Sequence, residues 1–380
     1  MSNFDFIIIG AGASGLLLAD ALTSDDFFSS KSILIIDRDD KTTNDRTWCF
    51  WEKGEGKFDH LLHKSWPNIH FSGSGFERSA SIAPYHYKML KGIDFYDHYL
   101  EKIKKHPNVT WVKDRVTLVE ETDQKDLVTA QNGFFTGDTV FNSWLNHQNV
   151  LSQKKYPLLQ QHFLGWFVKT EKPVFNPEEA TFMDFSIPQK GNTRFMYVLP
   201  FSEREALLEY TLFSENTLEK SEYEDGIRDY IKNNLGNTAF DITATEQGTI
   251  PMTCYPFYGH NSDKIMHIGI AGGWAKPSTG FTFYNTSKKV SALVEHLKQD
   301  RPLSKFYKRN KFWFYDLLLL DILHKHNHLG QSIFGSMFKK RNAQLILKFL
   351  DEETSLWEDL QIISACPKIP FIKALFRRFF

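Results

Sequence analysis

The chain has 380 residues, of which 42% are hydrophobic, and a formal net charge of −1. This length predicts two domains, or one nucleotide-binding domain with a second domain inserted. The near-neutral charge argues against a nucleic-acid partner. Three widely separated cysteines, Cys49, Cys254 and Cys366, predict neither disulfides nor a zinc site. We therefore expect a protein of a reducing, cytoplasmic compartment that holds no metal.

The N-terminal residues predict a βαβ unit. The apolar run Phe6–Ile9 leads into the sequence Gly10-Ala11-Gly12-Ala13-Ser14-Gly15, a helical stretch, a second apolar strand at 32–36 and then Asp37. Gly-x-Gly-x-x-Gly in this context is typical of a dinucleotide site. Gly10 allows the turn, Gly12 and Ala13 bring backbone N–H groups to a pyrophosphate, Gly15 packs the helix on the strand, and Asp37 accepts from ribose hydroxyls. The alternative is a glycine-rich helix start in another α/β fold.

The next segments complete the predicted nucleotide domain. Residues 45–51, Asp-Arg-Thr-Trp-Cys-Phe-Trp, are expected to form an aromatic loop near the cofactor, with Arg46 as its cation, although an ordinary packed loop is equally compatible. Residues 87–105 have helical periodicity, and short strands are expected at 109–112, 116–121, 127–130 and 139–141.

Residues 151–252 change to longer strand-like runs with one helix at 221–234, which suits a separate substrate sheet. Asp184 and Glu209 lie in two of these runs among apolar and aromatic neighbours. A carboxyl group in apolar surroundings keeps its proton to higher pH and can then act as a general acid. The alternative for Glu209 is the wet face of its strand, because alternation separates it from Leu208.

A second strand enters a glycine-rich turn at 265–273, followed by Lys-Pro-Ser-Thr-Gly at 276–280 and a helical run at 285–297. Such a junction fits a flavin held by separate segments of the chain, with Gly269, Gly273, Pro277 and Gly280 as candidate contacts. A glycine-rich turn without a ligand is the alternative.

Residues 301–380 are expected to be mainly helical and carry 14 Lys and Arg against 7 Asp and Glu. The last segment, 368–380, alternates bulky apolar residues with four cations, which is typical of an interfacial anchor on anionic lipid; a docked C-terminal helix is the alternative. The His-x-His-x-His run at 324–328 is interpreted as a solvated helix end. No stretch is apolar for the ~20 residues that span a bilayer, so we expect at most peripheral membrane contact.

Several motifs, in this order, resemble one family. They are residues 10–15, 45–51, 158–166, 182–184, 208–211, 248–252 and 271–280. Together they resemble the flavin-dependent lycopene cyclases of carotenoid biosynthesis, of the bacterial β type, over nearly the whole chain.

The resemblance implies a reaction without net redox change. A proton is added to a terminal double bond of lycopene, the internal double bond attacks the tertiary cation, and proton loss closes a β-ionone ring, giving γ-carotene and then β-carotene. Glu209 is the implied general acid and Asp184 an implied catalytic or orienting residue. The implied cofactor is reduced FAD, with NAD(P)H as its reductant. The chain departs from the family pattern at Tyr210, where the family has a second acid, and at Ser186.

The predicted fold class is α/β: a two-dinucleotide-binding-type flavoprotein with a Rossmann-like FAD domain, a mostly β substrate domain and a helical C-terminal region. The FAD domain is expected at 1–150 and 256–300, the substrate domain at 151–255 and the helical region at 301–380. The rival function is a flavin-dependent oxidoreductase, either a monooxygenase or an isoprenoid reductase, and a third reading is a non-catalytic polyisoprenoid-binding flavoprotein.

Overall fold

A computed structural model describes residues 2–73, 75–123 and 125–379. Met1 and Phe380, the ends of the predicted first and last segments, lie outside the described residues. The strands are β1 (Ser2–Ile9), β2 (Ile33–Asp37), β3 (Thr47–Lys53), β4 (Lys64–Trp66), β5 (Asn68–Gly73), β6 (Phe76–Ser81), β7 (Tyr85–Lys91), β8 (Val109–Lys113), β9 (Val116–Glu120), β10 (Asp126–Ala130), β11 (Phe134–Asn142), β12 (Leu159–Thr170), β13 (Glu179–Asp184), β14 (Thr193–Pro200), β15 (Glu205–Ser214), β16 (Phe240–Met252) and β17 (Ile265–His267). The α-helices are α1 (Ala13–Thr23), α2 (Gly92–Ile103), α3 (His147–Leu151), α4 (Lys220–Asn234), α5 (Phe283–Lys298), α6 (Lys311–Lys325), α7 (Gly330–Lys340), α8 (Ala343–Leu350), α9 (Leu356–Ala365) and α10 (Lys368–Phe379).

The first sheet is the predicted Rossmann-like unit. Its order in the described residues is β8-β2-β1-β11-β10-β9, and β17 pairs with β11. The β8, β2, β1, β11 and β17 pairings are parallel, whereas β9, β10 and β11 form an antiparallel meander. The strands β1 and β2 are almost entirely buried at Ile7–Ile9 and Ile33–Asp37 because helices cover the sheet. The predicted βαβ unit and the short strands between 109 and 142 are confirmed.

The second sheet has the order β16-β12-β15-β14-β13-β5-β6 in the described residues. Its pairings are antiparallel apart from β13 with β5, which is parallel. The predicted strands within 163–213 and the helix at 221–234 are confirmed. The strands β5 and β6 come from residues 68–81, within the stretch assigned to the FAD domain, so the sheet of the substrate domain extends beyond 151–255.

The two faces of this second sheet have different neighbours. One face packs against α4, where Leu208, Tyr210 and Leu212 contact Ile227 and Ile231. The opposite face carries Phe195, Tyr197 and Leu207, which belong to a large core shared with β7 and the C-terminal helices. Side chains alternate between the faces of a strand, so Glu209 lies on the second face, with Leu207 and Thr211, away from α4.

Two local predictions were wrong. The segment 45–51 is not a loop throughout, because Thr47–Lys53 forms β3 and pairs antiparallel with β7. The predicted helix at 87–105 begins only at Gly92, since the residues up to Lys91 complete β7. The cross-strand pair of Trp51 with Tyr87 joins two aromatic side chains that are both almost fully buried. Tertiary pairing therefore overrides the local helical pattern here.

The C-terminal region is helical, as predicted, and is tied to the glycine-rich turn that follows β17. The Lys276 ammonium, 3% exposed, lies 3.0 Å from an Asp316 carboxylate oxygen on α6 and 3.1 Å from Glu352. The Arg378 guanidinium on α10 binds Asp321 on α6 at 2.5 Å. Among the described residues no helix is both long and apolar enough to cross a membrane.

Candidate functional site

A cavity of about 390 Å³ lies where the glycine loop after β1 meets the second face of the second sheet. Its wall includes Gly12–Ser14, the segment Asp45–Cys49 and side chains from β12, β14, β15 and β16. The turn after β17 closes the opposite side with Gly269, Ile270 and residues 279–283. The cavity is therefore built from both sheets, which gives one wall to a nucleotide and the other to a substrate.

The glycine loop has the geometry that its sequence predicts. Gly10 has a φ of +92°, and a Cβ at this position would lie 2.0 Å from the Ser143 Oγ. A Cβ at Gly15 would lie 1.9 Å from the Gly10 carbonyl oxygen, so this position must stay small for α1 to approach β1. Gly12, in contrast, has no atom within 4 Å of the position of a Cβ and borders the cavity with Ala13. The N-terminus of α1 therefore faces open space that an anion can occupy.

Asp37 is buried beside this loop. One carboxylate oxygen accepts a hydrogen bond from the Ala11 N–H at 2.5 Å, the other accepts from the Asp39 N–H at 2.8 Å, and the Lys41 ammonium lies 3.4 Å away. These bonds hold the loop against the end of β2. Its predicted contact with ribose hydroxyls stays a prediction.

The other candidate cofactor residues divide into two groups. Arg46, Gly269 and Gly280 line the cavity, and Arg46 is paired with Asp45 at 2.9 Å. Gly273 lies outside the lining, where a Cβ would meet the Phe257 ring at 2.9 Å, and Pro277 is also absent from the lining.

Three buried polar atoms of the cavity wall lack a hydrogen-bond partner among the described residues. They are the Gln161 Oε1, the Thr279 Oγ1 and the Thr286 Oγ1. Buried polar groups are nearly always hydrogen-bonded, so a polar ligand is expected to supply the missing partners. Together with the open helix N-terminus, these atoms fit a dinucleotide that carries a pyrophosphate and a polar ring.

Glu209 projects from β15 into this cavity, as the alternation of its strand predicted. Its Oε1 accepts a hydrogen bond from the Thr211 Oγ1 at 2.6 Å. Apart from its opening to the cavity, protein surrounds the carboxyl group. This burial, with the charge of Glu246 as second cause, raises the pKa of Glu209 from its usual 4.5 to about 8. Glu209 therefore keeps a proton at neutral pH and can deliver it.

Glu246 is a second carboxyl group of the site, and the sequence reasoning missed it. It lies on β16, lines the cavity and accepts a hydrogen bond from the Thr47 Oγ1 at 2.6 Å. Burial raises the pKa of Glu246 to about 7. The signal that could have found it is alternation, which places Ala244, Glu246 and Gly248 on one face of a long strand.

Three weak acids surround the carboxyl pair, namely Cys49, Tyr87 and Tyr197. Burial raises the pKa of each, and the charge of Glu209 adds to the effect. All three are therefore uncharged at neutral pH. Tyr197 is directly opposite Glu209 in the pairing of β14 with β15, so an aromatic ring stands next to the candidate acid.

Asp184 does not join Glu209. It is 4% exposed, and its carboxylate oxygens accept from the Ser186 N–H at 2.8 Å and from the Tyr230 hydroxyl of α4 at 2.7 Å. It is absent from the cavity lining. These contacts tie β13 to α4, and a catalytic role of Asp184 stays an untested prediction.

The parallel sheet with its open glycine loop, joined to an antiparallel sheet across one cavity, defines the class as flavoproteins of the Rossmann-like fold. A geranylgeranyl bacteriochlorophyll reductase-like protein of Thermoplasma acidophilum covers 98% of both chains at a TM-score of 0.61 and 12% identity. A flavoprotein/dehydrogenase of Cytophaga hutchinsonii covers 92% of both chains at 0.58 and 12% identity, and the flavin-dependent brominase Bmp2 covers 99% of both at 0.56 and 15%.

Within this class, the chain belongs to the lycopene cyclase protein family, whose profile matches residues 5–376. A curated relative, the lycopene beta-cyclase of Paracoccus sp. (strain N81106 / MBIC 01143), is 27% identical over 127 residues. That match spans 32% of this chain and 32% of the relative.

Proposed function

We propose that this protein is a lycopene β-cyclase that isomerises the linear ends of lycopene to β-ionone rings without net oxidation. The observation that carries the proposal is Glu209, a carboxyl group that holds its proton at neutral pH on the wall of a cavity bordered by a dinucleotide loop. A flavin oxidoreductase has no need of such an acid, whereas protonation of an alkene requires one.

In the proposed reaction, protonated Glu209 donates to the terminal double bond, which leaves a tertiary carbocation. The internal double bond of the same chain end attacks this cation, and loss of a proton from the new ring completes the isomerisation. Cavity-lining aromatic rings, among them Phe163, Tyr197 and Phe281, offer π-faces that stabilise a cation and exclude water. A water molecule would otherwise capture the cation as an alcohol.

We propose FAD as the cofactor, held by the loop Gly10–Gly15 and by the turn that contains Gly269 and Gly280. Reduced FAD would supply electron density that stabilises a nearby cation electrostatically. NAD(P)H is the proposed reductant, needed only to keep the flavin reduced.

We also propose peripheral contact with a membrane, from which the polyene is drawn. The helices α9 and α10 expose large apolar side chains, including Leu356, Trp357 and Ile369, each at least 68% exposed. Lys368 and Lys373 of α10 are exposed beside them. Apolar side chains flanked by cations favour the surface of an anionic bilayer.

The test is expression of this chain in lycopene-accumulating cells, followed by separation of the extracted pigments. The intact chain is expected to yield γ-carotene and β-carotene, whereas Glu209→Gln leaves lycopene linear. Glu205→Gln is the matched control, since Glu205 lies on the same strand, half exposed and 3.2 Å from Lys169. Linear lycopene with the intact, flavin-loaded chain would refute the proposal.

A second measurement separates the cyclase from an oxidoreductase of the same fold. A monooxygenase or reductase consumes one NADPH for each product, whereas a cyclase converts many substrate molecules for each flavin reduction. NADPH consumption in proportion to product would therefore replace the cyclase by the oxidoreductase.

A further inference from the structure

The inference concerns Glu246 and rests on the proposed function. Strand β12 runs between β15 and β16, and its Gly165 is directly opposite Glu209 on one side and Glu246 on the other. Residues opposite one another in an antiparallel sheet point to the same face. The two carboxyl groups therefore stand on one face, two strands apart, with only a hydrogen atom at the position between them.

Glu246 fills the space that Gly165 leaves. A Cβ at Gly165 would lie 3.1 Å from the Glu246 Cγ, 3.5 Å from its Oε1 and 2.9 Å from the Leu207 Cδ1. The Glu246 side chain thus leans over β12 towards the strand that carries Glu209. Any larger residue at 165 would push Glu246 back and separate the two carboxyl groups.

The groups around the pair leave it without a compensating cation. In the described part of the chain, the ion pairs of the structure include neither Glu209 nor Glu246, and Arg46, the cation of the cavity wall, is engaged by Asp45. The facing groups on β3, β7 and β14 are Cys49, Tyr87 and Tyr197, which are uncharged near neutral pH. Two adjacent buried carboxyl groups without a cation favour the state that shares one proton.

We propose that Glu246 is the base of the reaction and that the pair carries a single proton through each cycle. Glu209 transfers its proton to the terminal alkene carbon, which forms a C–H bond. After the C–C bond closes the ring, the Glu246 carboxylate takes the proton from the adjacent ring carbon as the new double bond forms. The proton then returns to Glu209 across the space above Gly165, so the product is an isomer of the substrate and no oxidant or reductant is consumed.

The experiment compares purified, flavin-loaded wild type and Glu246→Gln in lycopene-containing liposomes. Glutamine keeps the shape of the side chain and an oxygen that accepts from Thr47, but it cannot take a proton. We expect turnover to fall at least about 100-fold, in line with loss of a general base. Residual activity is expected to lose its alkaline limb at lower pH, because Glu209 no longer has an anionic neighbour. Lycopene deuterated at the carbon that loses its proton is expected to react several-fold more slowly than unlabelled substrate in the variant.

A purely structural role for Glu246 would lower the rate without changing the pH profile or the isotope effect, and this result would overturn the proposal. Turnover of Glu246→Gln within two-fold of wild type would also overturn it. Glu205→Gln serves as the control and should match wild type throughout. If Glu246→Gln does not bind flavin, Glu246→Asp and Gly165→Ala decide: the aspartate should restore part of the rate, and the alanine should reduce it.

The two proposals fail in different ways. If wild-type protein forms no cyclic product, the cyclase function itself is refuted. If wild type cyclises lycopene and Glu246→Gln does so at the same rate and pH profile, the cyclase stands and only the role of Glu246 is lost.

Discussion

Glu209→Gln is expected to stabilise the flavin-free protein at alkaline pH. The folded protein holds the Glu209 proton up to a pKa of about 8, whereas an unfolded glutamate releases it near 4.5. Between these values the folded state binds more protons, so its free energy of unfolding falls as pH rises. At about 1.4 kcal/mol per pKa unit the full difference is about 5 kcal/mol, and we expect about 3–5 kcal/mol because Glu246 stays in place.

The substitution isolates this charge effect. Glutamine has nearly the same volume, and its Oε1 still accepts from Thr211, so the packing and the hydrogen bond are kept. At pH 5 both side chains are neutral in the folded protein, and the two free energies of unfolding should agree within about 1 kcal/mol. At pH 8.5 the variant should be the more stable protein.

The assay is urea unfolding followed by tryptophan fluorescence at both pH values, with unchanged m-values as the test of a common unfolding transition. The protein must be free of flavin, because a ligand that binds only the folded state would add its own stabilisation. Glu205→Gln, on the half-exposed end of the same strand, should change stability little at either pH. A Glu209→Gln variant that is equal to or less stable than wild type at pH 8.5 would refute the raised pKa.

Three further changes test other parts of the site. Gly12→Val places a side chain in the open space before α1; the purified protein should lose its flavin absorbance with little change in Tm, and retained flavin would contradict the phosphate position. Lys276→Met leaves Asp316 buried without its cation and should lower the free energy of unfolding in urea by about 3–5 kcal/mol; a loss below about 1 kcal/mol would show that the pair contributes little. Tyr230→Phe removes the hydrogen bond to Asp184 and should destabilise the fold by about 1–3 kcal/mol with pigment cyclisation retained, whereas lost cyclisation at unchanged stability would support a catalytic Asp184.

The sequence predicted the nucleotide half of the fold well because its signals are local. The glycine spacing, the flanking apolar strands and the acid at residue 37 all lie within one continuous stretch. Glu209 was also within reach, since strand alternation and apolar neighbours describe its surroundings. These features need no knowledge of distant contacts.

The rest depends on pairing between distant segments, which periodicity in one segment does not report. Glu246 becomes a partner of Glu209 only because β12 places Gly165 between them. In the same way, Tyr85–Lys91 is a strand because it pairs with β3, and Asp184 turns to Tyr230 because α4 covers that face of the sheet. Long-range pairing of this kind overrides local propensity.

The parallel pairing of β5 with β13 sets a schedule for synthesis of the chain. More than 100 residues separate the two strands, so a ribosome adding about 5–20 residues per second makes β5 roughly ten seconds before its partner exists. Until then this apolar strand has one open edge, which invites pairing with other chains. Slower translation would lengthen this interval. Yield of folded protein should therefore depend on chaperone supply during translation more than on the final stability of the native state.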